Sequence, residues 1–126
     1  MNAGAPSRNF GVSWFGCLLL ELIGTFFLTW VALMTTSRKR GIVTRNPAAP
    51  LAIGVAMVAL QLFMYPFSGA CFNPVRALAS YIATMRLSAD FLAYCMGPPI
   101  GAFAAAILYL WAFTGRELKV AFDKKL

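Results

Sequence analysis

Three apolar runs, Trp14 to about Thr35, Leu51 to about Tyr65 and Phe91 to about Phe113, govern what this chain can fold into. Each approaches the roughly 20 residues that an α-helix needs to cross a bilayer, where backbone N–H and C=O groups must be satisfied within the segment. The 126 residues are 60% hydrophobic and only 12% charged, so an all-α, multi-pass integral membrane protein is expected, with the lipid bilayer as its first partner. Gly97 and Gly101 stand in Gly-x-x-x-Gly spacing, and Ala102, Ala104, Ala105 and Ala106 extend that smooth surface. The third run therefore expects a tightly packed helical neighbour. Pro98 and Pro99 are expected to kink it, since neither donates to the backbone ladder.

The formal net charge is +7, and the basic residues lie at the ends of apolar runs. Arg38, Lys39, Arg40 and Arg45 follow the first, Arg116, Lys119, Lys124 and Lys125 follow the third, and Arg8 alone precedes them. The positive-inside rule gives an outer amino terminus, a cytosolic carboxyl terminus and an odd number of crossings. Neither basic cluster has the aromatic interleaving of a single-strand reader, so no nucleic acid is expected as partner. Histidine is absent and Cys17, Cys71 and Cys95 are isolated, which argues against a metal site, a disulfide framework or a cofactor. Met1 to Ser13 lacks the pattern of a cleaved signal peptide. The expected organisation is a tail over 1–13, a membrane domain over 14–113 and a basic cytosolic tail over 114–126.

Between the second and third runs lies Ser68-Gly-Ala-Cys-Phe-Asn-Pro-Val-Arg-Ala. Proline at the first helical position after an asparagine N-cap marks a helix start. The helix from Pro74 to about Thr84 is too short to span. Read geometrically, Pro66 to Phe72 descend extended from the outer face at about 3.3 Å per residue, and the short helix climbs back. Arg86 surfaces, and Ser88 or Asp90 caps the third span. An ordinary outer loop would instead leave Phe67, Phe72, Val75, Leu78 and Ile82 in water, so three transmembrane helices plus one re-entrant half-helix are expected. Asn46-Pro47-Ala48 looks like a second copy of the motif but reads as the cap of the second span.

A half-helix tip inside the membrane carries unpaired N–H groups and about half a positive charge. Asn73 accepts a backbone N–H with its side-chain oxygen and offers its amide to a passing solute, a combination that suits neutral polar molecules and opposes cations. Carbonyls of Phe67 to Phe72 are expected to add acceptors along the same wall. Arg76, one turn on, costs at least about 2.5 kcal/mol facing lipid, so it faces water or a partner, either as an arginine snorkelling to the outer interface or as a cationic filter. Glu21, the acid inside a span, either holds the loop through its N–H groups or carries protons. The residues by themselves favour neither. Gln61 is a further polar group within a span.

These segments together resemble the carboxyl-terminal half of an aquaporin, of the major intrinsic protein family. Glu21-Leu-Ile-Gly-Thr-Phe-Phe-Leu is similar to the opening of that family's fourth span, and Pro50-Leu-Ala-Ile-Gly-Val-Ala to its fifth. Ser68 to Ala77 resembles the second Asn-Pro-Ala loop, and Gly97-Pro-Pro-Ile-Gly-Ala the sixth span. The resemblance implies half of a right-handed bundle, a pore motif of Asn73, Pro74 and Val75, a filter of Arg76, Ala70 and Gln61, and Glu21 as the loop-holding carboxylate. Val75 stands where alanine is usual, and Gln61 where water channels carry histidine and glycerol channels commonly glycine.

What the resemblance implies is passive transport of water, glycerol or other small neutral solutes, with no enzymatic step. The family's first half, with the opposing half-helix, has no counterpart here. The chain is expected to be a fragment or truncated product, or to pair with a complementary half or oligomer; an inverted homodimer runs against the basic-loop bias. Alternatives are a small proton-coupled transporter using Glu21 and a non-conducting membrane subunit. Cys71, beside the motif, is expected to make an assembled pore sensitive to mercurials.

Overall fold

The computed structural model describes residues 5–36, 47–85 and 89–114. The basic clusters, Asn46, Arg86 and Ser88 lie outside the described residues. Four α-helices follow in order: α1 (Trp14–Thr36), α2 (Ala49–Ser68), α3 (Pro74–Thr84) and α4 (Phe91–Tyr109), which runs on into a π-helical turn, Leu110–Thr114. Among the described residues, α1, α2 and the stretch Phe91–Phe113 are long and apolar enough to cross a membrane. This is the all-α membrane fold, with a short helix between the second and third spans.

The ends of the helices show what sets them. The Ser13 hydroxyl accepts the Gly16 N–H at 3.0 Å and caps α1. Ala48 holds the N-cap position of α2 and a proline opens its first turn, while the expected asparagine of the Asn46-Pro47-Ala48 cap lies outside the described residues. The sequence predicts that the second span ends near Tyr65, with an extended descent from Pro66. Instead α2 runs through Pro66 to Ser68, and Gly69 stops it in the left-handed region at φ 79°, its N–H bonded to the Tyr65 carbonyl. Proline removes one ladder bond in a final turn; the glycine supplies the conformation that ends it. The descent shrinks to Gly69 through Asn73, and it is coiled, because Ala70 and Phe72 also have positive φ. Asp90 occupies the N-cap position of α4 but makes no capping bond; its carboxylate accepts from Arg8 Nε at 2.9 Å.

Small residues fix the packing. At Gly97 an added Cβ would meet the Leu18 carbonyl and Glu21 Cβ at 3.0 Å, and at Gly101 it would collide with the Leu22 carbonyl. The Gly-x-x-x-Gly face is therefore seated on α1. Because Trp30 also meets the Tyr109 ring at 6.4 Å, α1 and α4 run parallel. Gly24 makes room for Met64 and Phe72, while Glu21 meets Ser68, so α2 runs antiparallel to α1. The short α3 starts beside Glu21 and ends with Tyr81 packed edge-on against Phe91, ring centroids 5.2 Å apart, at the beginning of α4. The chain thus leaves α2 and arrives at α4 at one end of the bundle, having dipped inward between. That is a re-entrant half-helix.

Candidate functional site

Glu21, the eighth residue of α1, has no solvent-exposed surface and forms the hub of the dip. Its Oε1 accepts the Ser68 hydroxyl at 2.7 Å and the Cys71 N–H at 2.9 Å, and its Oε2 accepts the Phe72 N–H at 2.8 Å. A buried carboxylate needs such charge-assisted donors to offset lost hydration. The same bonds hold a backbone that would not hold itself, since Ala70 (φ 48°) and Phe72 (φ 55°) sit in the left-handed region at a cost of about 1 kcal/mol each.

Beyond Phe72 the chain turns into α3. Asn73 has extended dihedrals, its side-chain oxygen accepts the Val75 N–H at 2.8 Å, and its carbonyl accepts the Ala77 N–H. Pro74 fills the first helical position. Asn73, Val75 and Arg76 are exposed along one side of the tip. Arg76 Nη1 donates to the Ala70 carbonyl at 3.1 Å, tying the guanidinium to the buried Ala70. The structure thus brings together Glu21, Ala70, Asn73, Pro74, Val75 and Arg76. Gln61 does not join them by any hydrogen bond; it is half-buried on α2, about two turns before Ser68.

The row of lining carbonyls is shorter than expected. The Pro66 and Phe67 carbonyls accept from the Asn9 side chain and N–H, the Ser68 carbonyl accepts the Tyr94 hydroxyl at 2.7 Å, and that of Ala70 serves Arg76. Cys71 is buried, and its thiol donates to the Asn73 carbonyl at 3.1 Å, so it does not stand open to a mercurial.

Sequence reasoning missed three contributors. Ser68 reads as one polar residue at a helix end, and its bond to Glu21 spans 47 positions. Tyr94 sits inside an apolar run where an aromatic carries no polar signal. Residues 5–12 read as a tail, yet they pack over the open end of the dip: Pro6 is buried, Arg8 pairs with Asp90 and also donates to the Val12 carbonyl, and Asn9 bonds the Pro66 and Phe67 carbonyls in the last turn of α2. Together with Tyr65, Pro66, Gly69 and Arg76, residues 5–10 line an open pocket of about 560 Å³.

Three apolar spans around a half-helix whose asparagine-capped tip hangs from a buried carboxylate define a class of polytopic membrane protein with a re-entrant loop. Residues 2–109 match the model of the major intrinsic protein family, and the chain belongs to that family. It is 31% identical over 125 residues to a probable aquaporin PIP2-7 of Oryza sativa subsp. japonica, covering 94% of this chain and 42% of that protein. It is 41% identical over 100 residues to a probable aquaporin TIP3-2 of Arabidopsis thaliana (79% and 36%) and 34% identical over 109 residues to aquaporin-1 of Bos taurus (86% and 38%). The chain spans about two fifths of the length of these relatives.

Proposed function

We propose that this chain forms one wall of an aquaporin-like channel, passing water, glycerol or another small neutral solute when a complementary half or oligomer completes the pore. In this reading Asn73, Pro74 and Val75 form the pore motif and Arg76 the filter, with Ala70 and Gln61 beside it, while Glu21 holds the loop; no chemical step is performed. The observation that carries it is the Asn73-capped tip of α3, with Asn73 and Arg76 exposed side by side on a loop locked to Glu21. Glu21 lies about 10 Å along α1 from Trp14, so the amides it holds sit well inside a hydrocarbon layer about 30 Å thick. The tip's positive dipole end and the guanidinium both repel cations, protons included.

The three donors on Glu21 favour the loop-holding role over a proton carrier, because both carboxylate oxygens are already engaged with the loop and the end of α2. The basic clusters support an outer amino terminus and a cytosolic carboxyl terminus. One chain presents one wall, which is the support for a partner. The test is vesicle shrinkage by stopped-flow light scattering, with this chain alone and with a separately expressed amino-terminal half of the family that carries its own Asn-Pro-Ala helix. Water or glycerol permeability above that of empty vesicles is expected when both are present and lost with Asn73→Asp. Co-assembled, folded halves that leave permeability at the empty-vesicle level would overturn the reading.

A further inference from the structure

The filter guanidinium is tethered to a carbonyl, and that carbonyl belongs to a residue in the left-handed region. What holds Ala70 there decides where Arg76 sits. Glu21 reaches the amides of Cys71 and Phe72, downstream of Ala70. Upstream, the Gly69 N–H is bonded to the Tyr65 carbonyl, and Ser68 takes hold of Ala70 itself: its hydroxyl accepts the Ala70 N–H at 3.2 Å and donates to Glu21. Ser68 also ends α2, where carbonyls lose their helical partners. Its own carbonyl accepts the hydroxyl of Tyr94, a side chain with no exposed surface packed among Cys17, Cys71, Ala77, Tyr81 and Ala93. A continuous series of hydrogen bonds therefore runs from α4 through Ser68 and Ala70 to the Arg76 guanidinium.

We infer that Tyr94 is a positioning residue for Arg76: its hydroxyl fixes the Ser68 carbonyl, and through Ser68 and Ala70 it sets the direction of the guanidinium. The inference rests on the proposed filter role of Arg76 for its meaning in transport, but it makes a claim about placement that needs no flux to examine. A tyrosine serving only to fill space would do so equally well without its oxygen. Here the oxygen is the part that acts, because an unsatisfied carbonyl at the end of α2 would turn toward another donor and take Ala70 with it.

The experiment measures phenylglyoxal modification of Arg76 in the full chain in micelles, followed peptide by peptide and normalised to free arginine. Three replacements at position 94 are compared with the wild type: Tyr94→Phe, 4-methylphenylalanine, which keeps the volume without a donor, and 4-aminophenylalanine, which restores a donor of similar reach. Both donor-free chains are expected to show Arg76 reacting about fivefold faster, the release expected for one net hydrogen bond. The 4-amino chain should return close to the wild-type rate. Should Tyr94→Phe fail to fold, the 4-methyl and 4-amino pair decides. Equal Arg76 rates in that pair, or a 4-amino chain that does not fold, would overturn the inference. Because the guanidinium itself is read, this outcome is independent of whether an assembled pore conducts.

Discussion

Glu21 accepts the N–H of Phe72 at 2.8 Å, across 51 positions of sequence, and Phe72 makes that bond from the left-handed region at φ 55°. The bond and the strain belong together. The carboxylate offsets the backbone conformation that points consecutive amides at it, and the amides allow a carboxylate to stay buried.

Replacing Glu21 by glutamine keeps the volume and one oxygen but turns an NH2 group toward a donor. The expected cost is about 2 to 3 kcal/mol, the desolvation of a buried amide left without its acceptor. Thermal unfolding in micelles should show it, and hydrogen exchange at Cys71 and Phe72 should accelerate more than exchange within α2. Unchanged protection of those two amides would contradict the hub described here.

At Gly101 there is no space for even a methyl group, whereas at Gly54 nothing lies within 4 Å of an added Cβ. Gly101→Ala must therefore push α4 off α1, at about 1 to 3 kcal/mol. Gly54→Ala should cost nothing and raise stability by up to about 1 kcal/mol, since alanine favours a helix interior. Unfolding of the two variants side by side, in the same detergent, gives the comparison. Similar losses would mean that the α1–α4 contact is not where the fold is most tightly packed.

Much of this fold was legible in the chain because hydrophobic run length and helix-start chemistry are local signals. The spans fell within a few residues of their observed limits, and Asn73-Pro74 marked the start of α3 because cap and first position are set by adjacent residues. The end of α2 lies beyond Pro66, where the sequence alone places it, because a proline in a last turn costs only one bond, while the αL glycine three residues on does the stopping. Of the two caps that position offers for the third span, Ser88 and Asp90, the second stands at the N-cap, yet Arg8, 82 positions away, takes its carboxylate. Ser68 and Tyr94 escaped for the same reason: their partners are joined by folding and leave no spacing in the sequence.

The Arg8–Asp90 pair ties the segment before α1 to the start of α4, and its side chains are 28% and 15% exposed. A partly solvated pair of this kind contributes at most about 1 kcal/mol and is screened by salt. Asp90→Asn should leave the bundle's unfolding temperature nearly unchanged while loosening the segment. Trypsin cleavage after Arg8 is therefore expected to speed up about fivefold in the variant, and the wild type should approach that rate as salt is raised to about 1 M. Cleavage that ignores both the substitution and the salt would show that Asn9, through its bonds to Pro66 and Phe67, holds the segment unaided.

Cys71 offers a chemical measure of whether the loop is closed. Only 1% of its surface is exposed and its thiol donates to the Asn73 carbonyl, so a mercurial must wait for the loop to lift from Glu21. Opening that breaks several bonds at the hub costs at least about 2 kcal/mol, so labelling of the folded chain should be at least about thirtyfold slower than that of the chain in denaturant. Glu21→Gln should erase most of that protection, while Cys95, on α4 and away from the loop, should react alike in both chains. Mass spectrometry of the labelled peptides separates the sites. Rapid labelling of Cys71 in the folded wild type would mean that the loop spends its time away from the carboxylate, and the proposed pore wall would lose its anchor.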